Sequence, residues 1–313
     1  MIKVGFLVSY DYDYLQTSIP LIYSSADSIT LAIDKDGLTW SGNKIYIPQD
    51  FFAWVREIDK DNKIRIYKDN FYVPSNTPAQ NDTRERNMLS EFMGGGGWHI
   101  QLDSDEYFVN FESFVTYLKS IQHYLSNPEK NPVQVVVYWI NLFKKTDKGF
   151  LYIKDSYTPI EVATNYPKYN YMRVSNFKKI VSPFLLFHQS WARNETEIKM
   201  KISNWSHRDD ANNIKFFDFW LSINENNFRK FHNFHPTDPK KWRSLDFVNY
   251  KDLFRLPIEI RPITIFQTRV KYAYLKYLRA IFGEEKFLFY KKKYQNYRSN
   301  RTIDSYKRYD KNI

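Results

Sequence analysis

The 313-residue chain contains no cysteine. That excludes a disulfide scaffold, thiol catalysis and any cysteine metal site. Long apolar runs are absent too. The longest, around Val135 to Phe143, falls far short of the roughly 18 residues that a membrane span needs. The opening Met1 to Ser9 is too short for a secretory apolar core, and the Tyr10-Asp11-Tyr12-Asp13 that follows offers no small-residue cleavage site. These absences predict a soluble, cytoplasmic protein. Glycine is scarce, nine in all, and four of them form the single run Gly94 to Gly97. A phosphate-cradling loop needs a strand before it and a helix after it. Here a helical segment precedes the run and a strand follows, which predicts a helix C-cap and connector.

What the chain has in quantity is apolar and aromatic surface, 43% and 19% of residues. That is ample for a buried core and excludes a disordered chain. The formal net charge is +11, which on its face suggests an anionic partner. The charge is concentrated, however. Arg269 to Ile313 holds 13 Lys/Arg and 4 Asp/Glu, a net of +9, so the remainder carries +2. A near-neutral body argues against a nucleic-acid enzyme, whose working surface is normally basic. That class is the alternative, using the same acids with Mg²⁺ and the basic tail for phosphates.

Hydrophobic patterning alternates strands and helices. Strands are predicted at Ile2–Ser9, Ser28–Ile33, Ile64–Tyr67, Trp98–Leu102 and Val133–Ile140. Helices are predicted at Gln49–Ile58, from caps at Asn81-Asp82-Thr83 to about Met93, and at Phe111–Tyr124. The order predicts an α/β fold with a mostly parallel sheet flanked by helices. Beyond Phe143 the pattern changes to short β segments, then to a helix over Glu195–Trp205 capped by Asn194, and an apolar helical patch at Phe216–Leu221. Pro257 and Pro262 suggest a boundary, giving a main domain over 1–262 and a basic, aromatic-rich helical extension over 263–313.

In parallel sheets ligands bind beyond the carboxyl ends of the strands. That rule points to the loops after Ser9, Ile33 and Leu102. Four D-x-D pairs occur, at Asp11/Asp13, Asp34/Asp36, Asp59/Asp61 and Asp103/Asp105. Asp59/Asp61 sits in a Lys-rich turn and reads as solvated. Asp103/Asp105 follows an apolar strand directly, and clustered carboxylates there are costly unless a cation compensates them. Hard divalent ions such as Mg²⁺ or Mn²⁺ take oxygen ligands of this kind. His188, at the end of the apolar Ser182–Phe187 strand, is either a third ligand or a packed core-edge histidine, with His207 a weaker rival.

Asp34, the run Thr83-Arg84-Glu85-Arg86-Asn87 and the run Leu102-Asp103-Ser104-Asp105-Glu106-Tyr107-Phe108 together resemble the GT-A-fold (Rossmann-like) glycosyltransferases of the family 2 type, over roughly residues 1–210. The opening Val8-Ser9-Tyr10-Asp11 lacks the strand-then-proline start common in that family. The resemblance implies a nucleotide-sugar donor and an inverting transfer to a glycan or lipid-linked acceptor, in surface polysaccharide or glycoconjugate synthesis. Asp34 and Arg84 would face the nucleotide, Asn87 would support that helix, and Asp103 would contact ribose or metal. Asp105 would bind an Mn²⁺ or Mg²⁺ that bridges the donor diphosphate, with His188 completing the site. A base must deprotonate the acceptor hydroxyl; Glu161 is the first choice, then Asp155, then Glu195.

In the extension, Val270, Tyr274, Tyr277 and Ile281 recur at helical spacing. Three readings stay open: a helix packed on the body, a peripheral contact with an anionic membrane at its inner face, and nucleic-acid binding.

Overall fold

The computed structural model describes residues 1–204, 213–235, 241–283 and 286. The chain divides into two compact units. One comprises Met1–Trp139, Pro159–His188 and Ser203–Ser206; the other comprises Ile140–Thr158, Gln189–Ile202 and His207–Ile313.

In the first unit β1 (Ile2–Val8), β2 (Ser28–Asp34), β3 (Ile64–Asp69) and β4 (Trp98–Asp103) lie in the order β4-β1-β2-β3. All neighbours in this set are parallel. The sheet turns antiparallel at β8 (Thr158–Thr164), which pairs with β4. Beyond it lies β6 (Val133–Lys145), and β5 (Glu106–Phe108) pairs antiparallel with β9 (Lys178–His188). The expected α/β architecture, a sheet with a parallel heart covered by helices, is present.

Side-chain alternation divides the sheet into two faces. Val4, Phe6 and Val8, with Ile29, Leu31, Ile33, Ile100 and Leu102, build the main apolar core. Over this face pack α1 (Leu15–Ile22), α2 (Gln49–Ile58) and α4 (Phe111–Ser120), through Ile19, Phe51, Val55, Phe114 and Leu118. Leu7 and Ala32, on the opposite face, meet Leu89 and Met93 of α3 (Pro78–Met93). The same alternation gives α3 a polar stripe beneath it, His99, Gln101 and Asp103 of β4, and that stripe positions the site.

Helix α3 starts earlier than its predicted caps at 81–83. Thr77 and Gln80 form a reciprocal capping box with Pro78 in the first turn, and these satisfy the free N–H groups sooner. It ends at Met93 as expected, and Gly94 leaves it at φ 76°. The buried Lys3 ammonium donates to the carbonyls of Met93 (3.0 Å), Gly94 (2.8 Å) and Gly95 (2.7 Å). A cation thus closes the negative end of the helix. The glycine run is a C-cap and connector at the amino ends of the strands.

In the second unit the distal part of β6 pairs antiparallel with β7 (Gly149–Lys154), which pairs antiparallel with β10 (Ser244–Asn249). The helices are α5 (Glu195–Asn204, largely in this unit), α6 (Asn213–Ser222) and α7 (Pro262–Phe282). Asn194 caps α5 by accepting from the Glu197 amide at 2.9 Å. Phe143 meets Phe216, Phe234 and Trp242 edge to face, and Phe219 packs tilted against Phe234, forming an aromatic core. Residues after Gly283, apart from Lys286, lie outside the described residues, as does His207.

Gly5 is where α3 presses closest on the sheet. A Cβ there would lie 2.8 Å from Leu89 Cδ2 and 2.9 Å from Met93 Sδ. Gly5→Ala is therefore expected to destabilise the chain by about 1–3 kcal/mol through overpacking, read as a lower midpoint in urea.

Candidate functional site

The parallel register aligns the carboxyl ends of the strands. Leu7 of β1 stands opposite Asp103 of β4, and Asp34 of β2 opposite Asp69 of β3. Because β4 alternates, Asp103 points to the α3 side. On α3 the buried residues Asn81, Asp82, Glu85, Arg86, Leu89, Ser90 and Met93 share one face. Its carboxyl-terminal half is mainly apolar; its amino-terminal half is polar and lies over the end of β4.

Arg86 is the bridge. Its Nε donates to Asp82 Oδ1 and its Nη2 to Asp103 Oδ1, both at 2.6 Å. A second buried guanidinium comes from Arg173. Its Nη1 donates to Glu106 Oε2 (2.7 Å) and to the Gln101 carbonyl (3.0 Å). Its Nη2 pairs with Glu106 Oε1 and lies 3.8 Å from Asp103 Oδ2. Glu106 in turn accepts from the Asp103 amide at 3.0 Å. Arg173 also stacks over Trp139, 5.2 Å from the ring centre. The His188 ring lies against Trp139, with 4.2 Å between centroids. His188 Nε2 is 3.6 Å from Asp105 Oδ1. One connected cluster thus runs from Asp82 through Arg86, Asp103, Arg173 and Trp139 to His188 and Asp105.

Burial and charge act against each other in it. Burial pushes the Asp103 carboxyl up, but Arg86 and Arg173 outweigh this and hold it below its ordinary value. At Glu106 and Asp82 burial prevails over the arginines, and both carboxyls are raised. Glu85 is pushed by burial from 4.5 to about 8, with the Trp40 indole N–H, donating at 2.6 Å, opposing the shift. The Asp103 side chain is 31% accessible, whereas those of Arg86, Arg173 and Glu106 are closed off. Two buried donors, Nη1 of Arg86 and the indole N–H of Trp139, have no hydrogen-bond partner. Unsatisfied buried donors are uncommon, and they favour an acceptor brought in from outside.

The predicted residues separate into groups. Asp105 lies 3.6 Å from His188 and its charge acts on Asp103, but among the described residues no contact joins Asp103 to His188 directly. Asp34 is buried at the end of β2, where its two oxygens accept from the amides of Asp36 (3.0 Å), Leu38 (3.1 Å), Phe71 (2.9 Å) and Tyr72 (3.4 Å). It ties two rim loops together. Arg84 is exposed and donates to the Asn70 carbonyl at 3.2 Å. Asn87 clasps the backbone of Tyr169 in both directions, at 2.9 and 3.1 Å. It thereby anchors the segment that carries Arg173. Met172, at φ 47°, turns that segment inward, with its amide held by Thr83 Oγ1 at 2.7 Å. Glu161 is buried against Lys179 at 3.5 Å. Asp155 is an exposed turn residue at φ 54°, and Glu195 begins α5; both belong to the second unit.

Sequence reasoning missed Arg86, Arg173, Glu85 and Trp139. Arg86 had a signal: it falls at helical spacing with Asp82, Leu89 and Met93, whereas Arg84 falls on another face. Arg173 sits in an irregular segment without periodicity and had none.

Among the described residues no group of three or more His, Asp or Glu could hold an ion alone. Charge at Asp103 is compensated by the two arginines. Mg²⁺ and Mn²⁺ bind through one or two carboxylates and take substrate phosphates and water for the rest; of the two acids here, Asp103 is partly open and Asp105 is buried.

Glu85 gives a pH signature. The unfolded chain releases its proton near 4.5 and the folded chain near 8. Between these values the folded state binds the extra proton, so stability falls as pH rises through the window. Glu85→Gln is expected to flatten the melting temperature between pH 5 and 8 and to exceed the parent at pH 8 and above, measured by thermal denaturation across pH.

No family model matches the chain, and no curated protein matches it. Among solved structures, mannose-1-phosphate geranyltransferase from Thermus thermophilus aligns at 8% identity and a TM-score of 0.27, over 71% of this chain and 65% of its own. The chain thus spans just under two thirds of that protein's length. S. aureus TarS 1–349 aligns at 11% identity and a TM-score of 0.34, over 98% of this chain and 91% of its own. Likenesses of this size assign neither fold family nor activity.

Proposed function

We propose that the chain is a glycosyltransferase that moves a sugar from a nucleotide-sugar donor to the hydroxyl of a glycan or lipid-linked acceptor, with inversion. The observation that carries this reading is the acid cluster at the carboxyl end of β4. Asp103 is held ionised yet partly open to solvent, in the crevice position where ligands of parallel sheets bind.

Each residue has a task in this reading. Arg86 and Arg173 fix Asp103 in one rotamer and keep it charged. Asp34 shapes the rim loops around the nucleotide, and Asn87 holds the Arg173 segment in place. Asp105, with Asp103, would hold Mn²⁺ or Mg²⁺, whose contribution when bound is Lewis-acid stabilisation of the departing nucleoside diphosphate. Of the candidate bases, Glu161 shares the unit that contains Asp103 and Asp105. It is assigned to take the acceptor proton, ahead of Asp155 and Glu195.

A thermal-shift panel of nucleoside diphosphates with and without Mn²⁺ tests this. Stabilisation by several degrees is expected for one diphosphate, only with metal present. Asp105→Asn and Asp103→Asn are expected to weaken that response at least about tenfold in midpoint concentration, a loss of about 1.4 kcal/mol. No response to any nucleotide, with or without metal, would falsify the assignment.

A further inference from the structure

Helix α7 has two unlike sides. Thr268 is its buried residue. On the other side Ile263, Phe266, Val270, Tyr274, Tyr277 and Ile281 are each between 50% and 62% exposed. Their spacings are three or four residues throughout, so at 100° per residue they fall in a band about 80° wide. Singly exposed apolar residues need no explanation, but a continuous row of six along one helix marks a contact surface.

Charge identifies the partner. The helix carries Arg269, Lys271, Lys276 and Arg279 and no acid. Helical geometry puts Arg269 and Lys276 along one margin of the apolar row and Lys271 along the other. The chain after the helix adds nine Lys/Arg against four acids. A second copy of α7 laid on this face would set the three marginal cations of one copy against those of the other, which like-charge repulsion disfavours. An anionic headgroup layer complements it. Tyrosines suit the interface, their rings in the apolar boundary and hydroxyls in the headgroups. Among the described residues no helix is long and apolar enough to cross a membrane, so an in-plane arrangement is the one available to this helix.

We propose that α7 docks the chain on an anionic lipid surface, its axis in the interface plane and the row from Ile263 to Ile281 inserted. The proposal is independent of the sugar-transfer reading. A failed nucleotide response leaves it standing, and a failed lipid response leaves the transfer reading standing.

Co-sedimentation of the full chain with vesicles tests it. One set is phosphatidylcholine alone; the other contains phosphatidylglycerol at about one third. Binding to the anionic set is expected to exceed the neutral set about tenfold and to fall at high salt. Phe266→Ser with Tyr277→Ser, both exposed, should leave the melting temperature unchanged and lower anionic binding about tenfold. Replacing Lys291, Lys292 and Lys293 by Ala should weaken binding less than the double serine variant. Equal binding to both sets, full binding by the serine variant, or a dimer that this variant dissociates without any vesicle binding would each overturn the proposal.

Discussion

A single guanidinium holds the working end of the first unit together. Arg86 reaches from the buried face of α3 to Asp103 at the tip of β4 while keeping Asp82 on its own helix. Buried ion pairs of this kind add little net stability, because desolvation offsets attraction. Their effect here is geometric. Losing either partner would strand a charge in the interior, so α3 and β4 are locked into one register. Every other feature of the site is arranged around that lock. Arg173 closes the other side of Asp103, Glu106 answers Arg173, and Trp139 lies between Arg173 and His188.

Side chains also do the work of secondary structure at the rim. Asp34 gathers four backbone amides from two loops. Asn81 bonds the amide and carbonyl of Val73, the Asn76 side chain and the Trp40 carbonyl. Asn87 does the same for Tyr169. Buried backbone groups must be paired, and irregular loops cannot pair them with one another. A few buried Asn and Asp residues therefore set the course of the rim loops, and residues that look like ligands in sequence serve as their frame.

The charge of the chain belongs to two different problems. In the first unit buried acids outnumber the buried arginines Arg86 and Arg173, and burial raises the carboxyls of Asp82, Glu85 and Glu106. In α7 four cations stand without an acid beside an exposed apolar row, and in the sequence beyond it nine cations outnumber four acids. The total of +11 describes neither region.

Much of this was legible in the residues. The alternation of apolar runs fixes the strand and helix order, since period two and period 3.6 cannot be confused over long segments. The boundaries of α2 and the end of α3 follow from the same pattern and from the glycine after Met93. The strand-end position of Asp103 and Asp105 follows from Trp98 to Leu102 reading as a buried strand. The tertiary structure decided which neighbours those acids have. That Arg86 and not Arg84 meets Asp103 depends on which face α3 turns to the sheet. That Arg173 arrives at all depends on an irregular segment clasped from 82 residues away in sequence by Asn87. Local patterns carry the periodicity of single elements, whereas charge pairing between elements is set by packing, which no single stretch of sequence contains.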